Sequence, residues 1–290
     1  MRLFQRYFFR AILSFAVLPA VGMSMPVIAA GLGDAMAVPH AGNAGREGYR
    51  VFLQQPLHRA FAVAPGGAWS WKADEPSAAL AGEEALQACG ELTEQQCVLY
   101  ALDNQVVFDA KAWPKLWGPY KSRAEAARAT VGKHRGQRFY DLAIKNTAGK
   151  PLKLSALRGK VVLLHFWGTW CSPCRQEMPE LQKLNQELGP SRDIQLVLLQ
   201  MREDIDIARM WAENQHFNLP LFDSGVTGAG SDLLNLADGK QIRDRELAMV
   251  FPTTYVLDKQ GVVVFSNSGP VHGWSQYLPF LRDVAARSGK

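Results

Sequence analysis

Hydrophobic and polar positions along this chain follow two rhythms that meet near residue 130. In the second half, KVVLLHFWG (160–168) is an unbroken apolar run, the pattern of a strand buried on both faces. From Cys171 to Leu188, Met178, Leu181, Leu184 and Leu188 recur at helical spacing, and Gly189-Pro190 supplies a stop. IQLVLLQ (194–200) predicts a second buried strand, Ile205–Gln215 a helix, and LPLF (219–222) a short extended piece. TTYVLD and VVVFS, joined across Lys259-Gln260-Gly261, predict an antiparallel hairpin, and Trp274, Tyr277, Leu281 and Val284 a closing helix. Strand–helix–strand followed by hairpin and helix is an α/β sandwich, a central mixed sheet flanked by helices.

The first half alternates over shorter distances. Phe61 and Val63 alternate with small residues, Pro65-Gly66-Gly67 marks a turn, and Trp69 and Trp71 alternate again, which is a hairpin signal. SAALAGEEALQAC (77–89) favours a helix with Gly90 as its stop, and CVLYALDNQVVF (97–108) reads as two short strands about Asp103-Asn104. Trp113 and Trp117, four residues apart, are read as packing against a domain face. Residues 121–136 are polar and Ala-rich before they are broken by glycine, so a domain boundary is placed there. The expected organisation is a targeting segment over 1–37, a small α+β domain over 38–130 and the α/β domain over 131–290.

The targeting segment rests on its own pattern. Residues 1–10 carry Arg2, Arg6 and Arg10 and no acid, and residues 11–30 carry no charge. A basic start, an apolar stretch and small residues at Ala29, Ala30 and Ala37 describe a secretory signal peptide. An uncleaved membrane anchor over residues 11–30 is the alternative, which Pro19, Gly22 and Pro26 weaken. Either way the chain is exported, and a periplasmic location follows. Removing residues 1–37 changes the charge picture: the formal +5 of the 290 residues falls to 29 basic against 26 acidic side chains, or +3. That balance, with no long basic run, argues against nucleic acid as a partner.

Four cysteines are too few for a fold held together by disulfides, so each pair is read for itself. Cys89 and Cys97, at a helix end and the start of the next strand, are expected to form a structural disulfide in an exported protein. Trp170-Cys171-Ser172-Pro173-Cys174 lies where a buried strand turns into a helix. Unpaired amides and the positive helix end there stabilise a thiolate, so Cys171 is the expected nucleophile, exposed and with a lowered pKa. Cys174, one turn further in, is expected to be shielded and to resolve the mixed disulfide. Pro173 suits the first turn because its missing N–H costs nothing there. A zinc site would need two more ligands, and none stands at matching spacing, so neither metal nor cofactor is expected.

FWGTWCSPCRQEMP (166–179) resembles the active-site segment of the TlpA/ResA-like branch of the thioredoxin superfamily, and the resemblance extends from about Arg138 to the end. Phe251-Pro252-Thr253-Thr254, before a strand ending in Asp258, is similar to that family's cis-proline loop. The resemblance implies a thioredoxin-like sandwich and a cis Phe251–Pro252 bond. It places Pro252 beside the two sulfurs, and Trp170, Phe251 and Thr253 where a substrate chain lies. It also implies that Glu177, three residues after Cys174, handles the proton of Cys174, and that Pro179 kinks the helix. His165 stands where thioredoxin itself carries a buried acid and is read as filling a polar gap. A peroxiredoxin would need a proline before its reactive cysteine that FWGTWC lacks, and a copper carrier would prefer a three-residue gap between the cysteines.

The function expected is therefore an exported thiol–disulfide oxidoreductase that reduces disulfides in envelope client proteins. The branch resemblance implies that a membrane electron donor of the DsbD or CcdA type keeps it reduced, and that clients include apocytochromes c, as in cytochrome c biogenesis, and copper-site proteins. A disulfide-delivering oxidant or isomerase is the alternative within this fold. From another class comes a partner-binding protein in which residues 38–130 do the work.

Overall fold

The computed structural model describes residues 31–290 except 192, 229 and 230. Residues 1–30, which hold most of the expected targeting segment 1–37 and all of the alternative anchor 11–30, lie outside the described residues; residues 31–37 are described, with Ala35 buried. Among the described residues no helix is long and apolar enough to cross a membrane.

The N-terminal part contains α1 (Asn43–Phe52), β1 (Ala60–Val63), β2 (Trp69–Lys72), α2 (Ala78–Gly90), β3 (Val98–Leu102), β4 (Gln105–Val106) and α3 (Arg123–Arg128). Its sheet runs β2-β1-β3-β4, antiparallel throughout, with a register shift between Phe61 and Ala62. Helix α2 begins on a Ser77 side-chain cap and lies on one face, burying Ala81, Ala85 and Cys89 against Ala60, Ala62 and Ala64. Gly90 is the last residue of α2 rather than its stop. The helix α1 carries no strong sequence signal, because Gly45 and Gly48 interrupt it. Packing accounts for them: a Cβ at Gly48 would lie 2.3 Å from the Trp69 ring, and one at Gly45 would press on the same ring at 3.0 Å.

The C-terminal part contains β5 (Ala143–Lys145), β6 (Pro151–Lys153), β7 (Val161–Trp167), α4 (Ser172–Leu188), β8 (Ile194–Gln200), α5 (Ile205–Asn214) and β9 (Leu221–Asp223). After β9 come β10 (Leu233–Asn235), β11 (Gln241–Arg243), α6 (Asp244–Leu247), β12 (Thr253–Leu257), β13 (Val263–Ser268) and α7 (Leu278–Arg287). The seven-stranded sheet has the order β13-β12-β7-β8-β9-β5-β6. β7, β8 and β9 are parallel, whereas β12, β13, β5 and β6 join antiparallel, which makes it a mixed sheet. Neither the β5–β6 nor the β10–β11 hairpin was expected; three-residue strands are too short for a period-2 pattern to register.

Strand β7 divides the core by alternation. Val161, Leu163 and Trp167 face α4 and α7, and Val162, Leu164 and Phe166 enter the cluster on the opposite face. The first cluster continues into the N-terminal part through Tyr49, Phe61, Trp113 and Trp117. Trp117 stacks on Phe265 and Phe280, with ring centroids 5.1 and 4.7 Å apart, and His40 stacks on Tyr277 at 4.0 Å. Residues 31–290 thus form one compact unit with a shared apolar core.

Candidate active site

Strand β7 is buried along its whole length and ends at Trp167. The chain then turns through Gly168-Thr169-Trp170 into α4. Trp170 folds back over this turn and donates its indole N–H to the Met201 carbonyl at 2.9 Å. A Cβ on Gly168 would sit 2.3 Å from that indole nitrogen, so only glycine permits the fold-back. Thr169 is fixed by Glu203, whose carboxylate accepts from its amide at 2.7 Å and from its hydroxyl.

Cys171 is the N-cap of α4, and its sulfur accepts the Cys174 amide at 3.2 Å. The two cysteines are disulfide-bonded, with Cα atoms 5.2 Å apart. Pro173 lies within the first turn and Pro179 inside the helix. Cys174 is fully buried. Cys171 departs from expectation: it is only 5% accessible, because in the bridged form its sulfur turns into the first helical turn instead of out to solvent. Cys89 and Cys97 are bridged in the same way at the end of α2, with Cα atoms 6.2 Å apart.

The second motif reaches the same place through sheet pairing. β12 runs antiparallel to β7, with Thr253 opposite Phe166, so the start of β12 lies at the end of β7 from which the cysteines emerge. The Phe251–Pro252 bond is cis, and the Pro252 carbonyl accepts the Gly269 amide at 2.8 Å. The Thr253 hydroxyl donates to the Val250 carbonyl at 2.5 Å, which ties the loop down. The Trp170 and Phe251 rings meet edge to face, 5.0 Å between centroids. Trp170, next to Cys171, remains 45% exposed, and Met249, two residues before Phe251, 78%, which leaves apolar surface on the two motif loops.

Arg202, which the motifs do not announce, completes this surface, held by the buried Asp244. The Arg202 guanidinium forms a two-point pair with the buried Asp244 carboxylate, at 2.5 and 2.9 Å. It lies over the Phe251 ring at 5.2 Å and the Trp170 ring at 5.9 Å. Arg202 has φ = 58°, and Asp244 opens α6, 42 positions away. No short-range sequence signal connects them.

Beneath the cysteines, Glu177 projects from α4 into the interior and is 4% accessible. One carboxylate oxygen accepts the Val271 amide. Burial pushes its pKa up to about 8, partly opposed by the Val271 amide and the nearby Trp274 side chain. Glu180, the next acid on α4, instead caps the Gly273 and Trp274 amides at 2.7 and 3.0 Å. His165 is fully buried; its Nδ1 pairs with the Thr254 hydroxyl at 2.8 Å, and its Nε2 lies 3.8 Å from Glu177 Oε2. Desolvation lowers its pKa to about 3, so the ring is neutral. The structure therefore gathers Cys171, Cys174, Trp170, Phe251, Pro252 and Thr253 at one end of the sheet, with Glu177 and His165 behind them.

A profile of the AhpC/TSA family matches residues 135–266. The thioredoxin-like protein YneN of Bacillus subtilis is 32% identical over 148 residues, covering 51% of this chain and 77% of that protein. The thiol-disulfide oxidoreductase ResA of the same organism is 27% identical over 124 residues, covering 43% of this chain and 62% of ResA. Among solved structures, a secreted thiol-disulfide isomerase from Corynebacterium glutamicum is similar at 24% identity and a TM-score of 0.38, covering 50% of this chain and 83% of that one. The extent of the match to YneN, on a chain with WCSPC and a proline loop at one sheet end, means that this protein belongs to the ResA-like thiol-disulfide oxidoreductases of the thioredoxin superfamily.

Proposed function

We propose that this chain is an exported reductant of client-protein disulfides. The observation that carries the reading is the Cys171–Cys174 bridge at the N-terminus of α4, at the same sheet end as cis-Pro252 and an apolar surface. In the dithiol form, the helix end favours Cys171 as thiolate. That thiolate attacks one sulfur of a client disulfide; a mixed disulfide forms and the other client sulfur leaves as thiolate. Cys174 then loses its proton and attacks Cys171 Sγ, the second client sulfur leaves, and the bridge seen here is regenerated. Two electrons pass from enzyme to client. Glu177, one turn beyond Cys174, receives the Cys174 proton in its ionised form. Trp170, Phe251 and Thr253 hold an extended client segment, and residues 38–130 act as a domain that narrows client choice. A membrane donor of the DsbD or CcdA type restores the dithiol.

Direction is tested by the reduction potential of the Cys171–Cys174 pair. A value near about −270 mV supports the reductant; a value near about −120 mV reverses the flow and makes the protein an oxidant. Clients are identified with Cys174→Ser, which should accumulate mixed disulfides on Cys171 in the cell envelope, whereas Cys171→Ser should accumulate none. Equal trapping by both variants would remove the assignment of nucleophile.

A further inference from the structure

His165 is the polar residue on the face of β7 that otherwise presents Val161, Leu163 and Trp167 to α4 and α7. It was read above as filler, but its surroundings give it a specific task. Its Nδ1 is occupied by Thr254 of β12. Its Nε2 and Glu177 Oε2 are both buried without a hydrogen-bond partner among the described residues and lie 3.8 Å apart, and the Trp274 indole nitrogen, bare as well, is close to the same carboxylate. Two buried polar atoms left bare is an expensive arrangement, and it resolves if one proton lies between them. A small rotation of Glu177 closes the gap to hydrogen-bond length, as sites of this kind do when substrate binds.

We propose that His165 is a positioning residue for the thiol–disulfide cycle: its Nε2 accepts the proton carried by Glu177 Oε2, so the two side chains hold one proton between them. The proposal rests on the role given above to Glu177. Other groups facing the pair do not substitute for it. On β8 the register partner of His165 is Leu198. Trp274 and Tyr277 follow on the turn before α7; the Trp274 ring stands 6.2 Å from the imidazole, and its indole N–H is a donor that cannot take a carboxyl proton. The Tyr277 hydroxyl is buried and lacks a partner among the described residues, with its pKa raised by burial, and it stays neutral. Glu180 is committed to its two amides. With His165 neutral, the loaded pair carries no net charge, so Glu177 can receive the Cys174 proton without creating a buried charge. The balance of the resolving step is unchanged: Cys174 S–H breaks, the Cys174–Cys171 bond forms, the Cys171–client bond breaks, and the client thiolate takes its proton from solvent.

The test uses the reduced full chain and dithiobis(2-nitrobenzoate), following two phases of thionitrobenzoate release. The second phase reports resolution by Cys174. Its pH midpoint should fall by about one unit in His165→Asn, a tenfold change in the ionised fraction of Glu177 at fixed pH. In a Glu177→Gln background the same substitution should leave the profile where it was. If Glu177→Gln shifts the second phase and His165→Asn does not, the pairing is wrong and the role of Glu177 stands. If Glu177→Gln itself leaves the second phase untouched, the role of Glu177 falls and the pairing falls with it. The unaltered protein gives an independent reading: 15N spectra at pH 6 should show the His165 hydrogen on Nδ1, donated to Thr254. A charged ring, or a hydrogen on Nε2 at that pH, would overturn the proposal.

Discussion

At the residue scale, the motifs exposed the chemistry and hid the surface that presents it. Cys171, Cys174 and Pro252 could be read because strand–turn–helix placement gives each a local reason to be where it is. Arg202 could not, because its placement depends on Asp244, which opens a four-residue helix with no periodic pattern. The exposure of Cys171 was misjudged because helix-end logic describes the free thiolate, whereas the bridged form turns the sulfur inward. The Arg202–Asp244 fork holds a cation over Phe251 and Trp170, the paired rings of the two motif loops. Arg202→Ala should therefore raise KM for a disulfide peptide with aromatic neighbours about tenfold, equivalent to about 1.4 kcal/mol, and leave the reduction potential unchanged. Arg202→Lys should recover only part of this, because an ammonium cannot reproduce the fork. Steady-state kinetics on one peptide series decides it: an unchanged KM in Arg202→Ala would remove the stacked cation from substrate binding.

At the element scale, periodicity worked where elements are long. β7, α4 and β8 stand within a residue of expectation, because each buries a continuous or one-sided apolar set. The helix α1 was not legible because its two glycines argue against a helix until the Trp69 ring that needs them is in place. The Cys89–Cys97 bridge fastens the end of α2 to the start of β3, beside the alanine-lined contact of that helix with its sheet. Closing a loop of this length restricts the unfolded chain by about 2–3 kcal/mol. Changing both cysteines to serine should lower unfolding free energy by that amount in denaturant titration. The Cys171–Cys174 cycle should keep its potential, since the two bridges lie at different helices that flank different sheets. A changed potential would mean that the bridges exchange electrons and that the first is not purely structural.

At the scale of the whole molecule, the sequence suggested separate domains, but alternating short strands could not reveal that Trp117, His40 and Tyr277 share one apolar core. Such long-range contacts leave no local trace. They do make stability depend on pH in a particular way. His40 and His165 are both buried, and desolvation lowers each pKa to about 3 from an unfolded 6.5. Between those values the unfolded chain binds the extra protons, so stability falls as pH drops from 6.5 toward 3. Glu177 is opposite: its pKa is raised to about 8 from an unfolded 4.5, so the folded chain binds the extra proton and stability falls as pH rises from 4.5 to 8. From 4.5 to 6.5 two histidines outweigh one carboxyl, and above 6.5 the carboxyl outweighs the remaining titration of the histidines. Asp258, also raised by burial, acts in the same sense as Glu177 and reduces the slope of the acid limb. The oxidised protein should therefore show its highest thermal midpoint near pH 6.5. Glu177→Gln keeps an oxygen for the Val271 amide and removes the titration, so its midpoint should hold or rise slightly between pH 6.5 and 8 where the parent declines. His40→Gln should soften the acid limb without affecting the alkaline one. A parent protein whose midpoint rises steadily to pH 8 would mean that Glu177 is ionised in the folded state, and its role as the proton acceptor beneath Cys174 would have to be given up.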